Sequence, residues 1–301
     1  MAAPTTLTDQ FGRRIEYLRI SVTDRCNFRC VYCMPLDGLP WLPKAEILTY
    51  EEITEIVRQL APLGLRRIRI TGGEPTIRPD LARSLHDAGL DRVNMSADSL
   101  RPERISAIAR RSLGFEPRVA ARAAQDAGLD PIKLNMVVLR GINDDEVEDF
   151  ARLTVDNPWH VRFIELMPVG DMRELTWDHV VPSDEILDRV GALGALAPDG
   201  GPARGNGPAK YFRLANAAGT VGIITPMTHT YCGSCNRVRL TADGRLRTCL
   251  YGDHEVNLRD PLRGGHALEP LFRQALAEKP KEHQLLQMQV GGLRALSQVG
   301  G

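Results

Sequence analysis

Nowhere in the 301 residues does an apolar run approach the roughly 18 uninterrupted side chains that a membrane-spanning helix needs, so no helical membrane anchor is expected. The first ten residues are small and polar with no apolar segment, which gives no reason to expect a secretory leader. Net charge is also missing: 38 basic residues balance 38 acidic ones, leaving no whole-molecule field to draw in nucleic acid or an anionic membrane. Aromatic residues make up only 5%, too few to suggest a stacking platform for single-stranded nucleic acid. Cysteine is scarce as well, and its six copies fall into two groups of three, which suits metal ligation better than disulfide pairing and points to a reducing compartment. What remains is ample for a folded enzyme, since 43% hydrophobic content can fill the core of one large α/β domain with an appendage, or of two domains.

The first group is Cys26-x3-Cys30-x2-Cys33, in the run Thr23-Asp24-Arg25-Cys26-Asn27-Phe28-Arg29-Cys30-Val31-Tyr32-Cys33. Three thiolates can hold three corners of an iron–sulfur cube, leaving one iron open for chemistry. The alternative is a zinc site with three sulfurs and a distant histidine, although zinc ligands more often come as separated Cys pairs. The second group is Cys232-x2-Cys235-x13-Cys249, for which a zinc ribbon completed by His229 or His254 is the competing reading.

Between the two groups, β-rich apolar runs alternate with helical patterns, the signal of βα units around a parallel sheet. The run 15–23 leads into the first cysteine loop, and further strands are expected at 67–71, 92–97, 132–139 and 161–167. Thr49 and Glu52 form a capping box ahead of Ile53, Ile56, Val57 and Leu60 at helical spacing, and Gly64 closes that helix. Asn143 and Glu146 suggest a second box. The signature loops fall at the C-terminal ends of strands, where parallel βα architectures place ligands. One of them, Thr71-Gly72-Gly73-Glu74-Pro75, has two glycines that let a ligand approach the backbone and N–H groups that suit a carboxylate or phosphate.

The first cysteine motif, with Tyr32 before its last cysteine, resembles the signature of the radical S-adenosylmethionine (SAM) enzymes. The segment Cys235-Asn236-Arg237-Val238-Arg239-Leu240-Thr241 closely resembles the auxiliary-cluster site of one branch of them, the GTP 3',8-cyclases that begin molybdenum cofactor biosynthesis. The likeness extends to Leu18-Arg19-Ile20-Ser21-Val22-Thr23, Arg69-Ile70-Thr71-Gly72-Gly73-Glu74-Pro75, Lys133-Leu134-Asn135, residues 140–146, Val161-Arg162-Phe163-Ile164-Glu165-Leu166-Met167-Pro168, residues 205–209 and the closing Gly300-Gly301.

The resemblance implies two 4Fe-4S clusters, one on Cys26, Cys30 and Cys33 and one on Cys232, Cys235 and Cys249. It also implies SAM bound by Tyr32, Gly73, Glu74, Ser96 and Met167, and GTP held by Arg19, Arg69, Lys133, Arg162, Arg237 and Arg239. Guanidinium forks suit phosphate oxygens, so several such cations suit a triphosphate. In the implied reaction a 5'-deoxyadenosyl radical removes the ribose 3'-hydrogen, C3' bonds to guanine C8, and (8S)-3',8-cyclo-7,8-dihydroguanosine 5'-triphosphate results. No catalytic side chain beyond cluster and SAM is implied. The implied partners are an electron donor such as flavodoxin or ferredoxin, the downstream cyclic pyranopterin phosphate synthase and a second copy of the chain as a homodimer. The setting is cytoplasmic, without nucleic acid or membrane.

One departure from the family stands out. Where the family has a further helix and a strand ending in Thr-Thr-Asn-Gly after the glycine-rich motif, this chain runs from residues 71–75 through Arg78-Pro79-Asp80-Leu81 into Ser84-Leu85-His86-Asp87-Ala88-Gly89-Leu90. About one βα unit is absent, and with it a threonine that the family uses on substrate. A near whole-unit excision preserves chain direction and crossover hand, so a narrower arc with re-paired strands is expected. Active-site groups on either side would shift by about one strand spacing, roughly 4.8 Å. Met95-Ser96-Ala97-Asp98, in place of the more usual Val-Ser-Leu-Asp, is a milder departure. The fold class is therefore α/β, an incomplete parallel (βα) barrel over residues 10–200, with an auxiliary-cluster region over 201–301. The competing functional readings are a degenerate paralogue of the cyclase, a peptide-modifying radical SAM protein, and a two-zinc interaction or nucleic-acid module with Arg66, Arg67, Arg110 and Arg111 as a basic patch.

Overall fold

Alternation of apolar and polar side chains sets the architecture. In a strand, successive side chains face opposite sides, and β1 (Tyr17–Ser21) buries Leu18 and Ile20 while Tyr17 and Arg19 face the other way. The computed structural model describes residues 6–74, 93–112, 114–126, 128–167, 175–200, 207–283 and 294–299. Its remaining strands are β2 (Arg67–Thr71), β3 (Asn94–Ser96), β4 (Lys133–Val138), β5 (His160–Glu165), β6 (Leu196–Pro198), β7 (Lys210–Leu214), β8 (Thr220–Ile224), β9 (Arg237–Leu240), β10 (Arg245–Arg247) and β11 (Glu255–Asn257).

Two sheets result, one in the order β11-β10-β9-β1-β2 and the other β3-β4-β5-β8-β7-β6. β1 lies parallel between β2 and β9, and β3, β4, β5 and β8 form a parallel run. The remaining pairings are antiparallel. The fold is thus α/β with parallel strands in an incomplete barrel.

Each sheet has its own core. Helix α1 (Tyr50–Leu60) starts at Thr49, whose capping box with Glu52 is fully formed, and it buries Ile53, Ile56 and Leu60 against the first sheet. A 3-10 turn with Pro62 and Gly64, at φ 102°, stops it. After two short helices, α2 (Pro102–Ala109) and α3 (Pro117–Asp126), come α4 (Val147–Asp156) and α5 (Ser183–Gly191), which cover the second sheet through Phe150, Ala151, Ile186 and Val190. Near the C-terminus, α6 (Arg259–Arg263) and α7 (Glu269–Ala277) follow β11, and α7 adds Phe272, Ala275 and Leu276 to the first core.

Two expectations need correcting. Helix α4 opens at Val147 without the Asn143–Glu146 capping box. Those side chains reach across the fold instead: the Asn143 amide donates to the Asp98 carbonyl at 2.7 Å, and Glu146 accepts from Ser99 Oγ at 2.6 Å and Leu100 N–H at 2.7 Å. The strands flanking the excised unit also do not re-pair among the described residues, because β2 closes one sheet while β3 opens the other. Each is bound into a separate core, by β9–β11 on one side and β4–β8 on the other, so closing the arc would mean displacing a whole core rather than a strand. The junction itself, residues 75–92, lies outside the described residues.

Candidate active site

The first cysteine loop leaves β1 and is clasped from both sides. Gly73 N–H donates to Thr23 O and Glu74 N–H to Arg25 O, each at 2.9 Å. The approach is so close that a Cβ on Gly73 would lie 2.2 Å from Arg25 O, and one on Gly72, at φ 154°, would lie 2.8 Å from Thr23 O. The Gly-Gly turn therefore serves the cysteine loop, and the N–H groups of Gly73 and Glu74 that the sequence offered to an anion are already engaged. Its carbonyl groups, being acceptors, suit an ammonium instead. From the other sheet, Arg29 N–H donates to Ala109 O at 2.9 Å and Val31 N–H to Ile108 O at 3.0 Å at the end of α2. Tyr32 donates to Asp98 Oδ2 at 2.6 Å, just past the end of β3. Burial pushes the Asp98 carboxyl up to about 6, against the opposing effect of the Tyr32 and Val137 donors.

The two triads differ electrostatically. Burial raises Cys26, takes Cys30 well above the usual thiol range and pushes Cys33 up to about 12, helped by Glu74 at Cys26, by Asp98 and the other two cysteines at Cys30, and by Cys26 at Cys33. Cys232 is likewise raised by burial. At Cys235 burial is outweighed by Lys279 and Arg237, which bring the thiol down to about 7.

Donors aim at these sulfurs: Phe28 N–H at Cys26 Sγ (3.4 Å), Lys279 Nζ at Cys235 Sγ (3.6 Å) and, more distantly, Arg237 Nη2 at Cys235 Sγ (3.9 Å). Donors to sulfur are what anionic cluster ligands need, so both triads fit an iron–sulfur cluster. The zinc alternative has less to stand on. The histidines that would complete a zinc site face carboxylates instead, His229 toward Asp184 (3.3 Å) and His254 toward Glu278 (2.7 Å).

Of the expected substrate cations, Arg19, Arg69, Arg162 and Arg239 lie inside strands, whereas Lys133 and Arg237 open β4 and β9. Register sets Arg239, Arg19 and Arg69 side by side on β9, β1 and β2, on the face opposite the apolar core, with Arg247 of β10 beside Arg239. On the second sheet one row carries Ser96, Asn135, Arg162 and Gly222, and the row before it Asn94, Lys133 and His160. Arg162 is 5% exposed and spans neighbouring strands, with Nε to Asn135 Oδ1 and Nη2 to Asn94 Oδ1, both at 2.8 Å. Gly222 gives it room, since a Cβ there would lie 2.8 Å from Arg162 Cγ and 3.0 Å from the Tyr211 ring.

These cations repel one another. Burial, then Arg239 and Arg69, hold Arg19 well below the usual guanidinium range; burial and Arg237 bring Arg239 down to about 10; burial lowers Arg162, which also feels Arg69. A cluster of cations that depress one another's protonation is a site where an anion is stabilising. Arg237 turns toward Cys235 and stacks on Tyr231 at 4.7 Å. Lys133 is buried, Arg69 half-buried and Ser96 exposed, and Glu74 lies close enough to Cys26 to influence it.

Met167 receives the Tyr251 hydroxyl at 2.5 Å and packs with Tyr32, Cys33, Met227 and Leu296. Leu296 belongs to the C-terminal segment, whose Val299 carbonyl accepts from Arg239 at 3.3 Å; Gly300 and Gly301 lie outside the described residues. The sequence reading assigned no role to Asn94, Tyr211, Tyr251, Asp98 or Lys279. The alternation in Leu18-Arg19-Ile20 and Arg237-Val238-Arg239-Leu240 could have shown that the arginines share one sheet face.

Comparison with known proteins bears on this geometry. The Radical SAM superfamily matches over residues 20–85 and 78–154, and the family Molybdenum Cofactor Synthesis C over 159–285. The GTP 3',8-cyclase of Pelotomaculum thermopropionicum is 45% identical, covering 98% of this chain and all of that protein. The chain belongs to the GTP 3',8-cyclase family. Another member, from Heliobacterium modesticaldum, is 43% identical with the same coverage.

The gap in the family pattern is visible here too. The alignment to the first relative spans 327 positions, whereas 98% of 301 residues is about 295, leaving about 32 positions of that relative without a counterpart. The two superfamily matches meet over residues 78–85, at the place of the missing βα unit. Among solved structures, SuiB of Streptococcus suis bound to S-adenosylmethionine shares the fold at 12% identity, with TM-score 0.55 over 92% of this chain and 72% of that one.

Proposed function

We infer that this chain is a working GTP 3',8-cyclase, converting GTP into (8S)-3',8-cyclo-7,8-dihydroguanosine 5'-triphosphate in the first step of molybdenum cofactor biosynthesis. The observation that carries the reading is the aligned row of Arg239, Arg19 and Arg69 between two cysteine triads, facing Arg162 on the other sheet. The cofactors are two 4Fe-4S clusters and SAM, and with SAM the first cluster supplies a 5'-deoxyadenosyl radical.

In this reading Cys26, Cys30 and Cys33 ligate one cluster and Cys232, Cys235 and Cys249 the other. Tyr32, Gly73, Glu74, Ser96 and Met167 hold SAM, with carbonyls of the Gly-Gly turn as acceptors for its ammonium. The triphosphate sits against Arg19, Arg69, Arg162, Arg239 and Lys133, whose mutual repulsion it relieves. Arg237 orients the purine end beside the second triad. Residues 10–200 form the SAM-binding part and 201–301 the auxiliary part. Positioning is the protein's main contribution, because the cofactor carries the reactive chemistry. An electron donor such as flavodoxin or ferredoxin supplies the reductant, cyclic pyranopterin phosphate synthase takes the product, and the enzyme works as a cytoplasmic homodimer. Among the described residues no helix is long and apolar enough to cross a membrane.

The test is an anaerobic assay of reconstituted protein with SAM, GTP and dithionite, following 5'-deoxyadenosine and the cyclised nucleotide together by mass spectrometry. Stoichiometric formation of both supports the reading and makes the missing βα unit dispensable. Deoxyadenosine without cyclised nucleotide, from protein holding about eight irons, would refute it in favour of a degenerate paralogue.

A further inference from the structure

Beside the second triad, Lys279 is 2% exposed. Its ammonium donates to Cys235 Sγ at 3.6 Å, to Arg237 O at 3.1 Å and to the carbonyl of Thr248, next to Cys249. All three of its N–H donors are thereby directed at the segments that carry two of the three ligands. Among the described residues it pairs with no carboxylate. A buried ammonium without a counter-charge is costly, and among the described residues the ionisable acceptor it meets is the Cys235 sulfur.

The backbone at Lys279 is also fixed. Its N–H bonds to Leu276 O at the end of α7, and its carbonyl accepts from Gln10 Nε2 at 3.2 Å. Arg13, buried and paired to Asp9 at 2.5 Å, clamps the following turn to the triad by donating to Pro280 O (2.6 Å), Lys281 O (2.8 Å) and Cys232 O (2.8 Å). The first triad is built differently. Among the described residues its sulfurs receive no hydrogen bond from Lys or Arg: Phe28 N–H donates to Cys26, Ser297 lies against Cys33, and Arg29 acts on Cys26 through its charge alone.

We propose that Lys279 is the resident counter-charge of the second cluster, a positioning residue that fixes the Cys235 corner and holds this cluster at a higher reduction potential than it would have without the ammonium. The inference rests on the second triad holding a cluster, as proposed above. A three-thiolate cluster carries net negative charge that reduction increases, and a fixed cation hydrogen-bonded to its sulfur favours the reduced state. The chain thus treats its two clusters unequally.

The test compares wild type, Lys279→Met and Lys279→Arg as full-length reconstituted protein. Iron and sulfide are counted, and EPR-monitored potentiometric titration is run with SAM added to mark the first cluster's signal. If Lys279→Met loads both clusters, the second cluster's wave should shift to more negative potential while the SAM-sensitive wave stays put, and Lys279→Arg should stay near wild type. If Lys279→Met instead loses about half its iron, Lys279→Arg should recover it, because the charge then holds the thiolate site together. The proposal is overturned by full loading with an unmoved second wave, by equal shifts of both waves, or by iron loss that Lys279→Arg does not restore. Wild type with only about four irons would instead remove the cluster reading of the second triad.

Discussion

Substituting Lys for Arg162 keeps the charge and removes the fork. In wild type two guanidinium nitrogens are tied to Asn135 and Asn94 at 2.8 Å, which fixes the group's plane against the second sheet. An ammonium is a point donor without that planar geometry, so one carboxamide loses its partner and the cation is no longer held in a fixed direction. Losing one oriented charge-assisted contact to the triphosphate costs about 1.5–3 kcal/mol, or roughly a 10- to 150-fold fall in kcat/KM for cyclised nucleotide. SAM cleavage measured as 5'-deoxyadenosine should persist, because no hydrogen bond links Arg162 to the cysteine loop among the described residues. Asn135→Ala should reproduce part of the loss, and the double variant should lose less than the sum of the two. Equal falls in deoxyadenosine and cyclised nucleotide in Arg162→Lys would refute the assignment, as would additive effects with Asn135→Ala.

The remaining expectations concern the two triads. Cys26→Ala should abolish deoxyadenosine formation altogether, whereas Cys249→Ala should leave uncoupled SAM cleavage with little cyclised nucleotide; equal loss of cleavage in both would remove that division of roles. Gly73→Ala would press a methyl to 2.2 Å from Arg25 O, a backbone atom with little room to yield. Overpacking of this kind costs about 1–3 kcal/mol or more, and should appear as loss of about half the iron, with the second cluster retained. In metal-free protein Cys235, brought to about 7, gains thiolate as pH rises through that value, whereas Cys33 stays protonated up to about 12. Its alkylation by iodoacetamide should fall several-fold from pH 7 to pH 6 as the thiolate fraction drops, with mass spectrometry of tryptic peptides as the readout. Comparable labelling of Cys33 at pH 7 would contradict this asymmetry.

Strands β1, β2, β4 and β5, helix α1 with its capping box, and both cysteine triads were legible in the sequence because each has a short-range signature: period-two alternation, Thr49 with Glu52, fixed cysteine spacing. Glu146 looked like a capping residue because its spacing from Asn143 fits one, yet Ser99 and Leu100, distant in sequence, compete for the same carboxylate and win. Composition alone makes the N–H groups of the Gly-Gly turn look open to an anion, since nothing local reveals that Thr23 and Arg25 take them; the family resemblance, which assigns this motif to the amino group of SAM, agrees better with the carbonyls that are left. Lys279 was invisible for the same reason, because its role depends on Cys235, 44 residues away. The split between β2 and β3 could not be foreseen either, as sheet partners are chosen by both cores at once.

That split gives the cysteine loop a second job. With no strand pairing between the sheets among the described residues, the loop is a mechanical coupling, pinned to β2 through Gly73 and Glu74 and to the other half through Ala109, Ile108 and Asp98. Its stiffness then depends on the cluster it carries, so oxidative loss of iron should loosen the joint between the halves as well as end catalysis. Faster limited proteolysis of metal-free than of loaded protein would register this, and equal rates would argue against it.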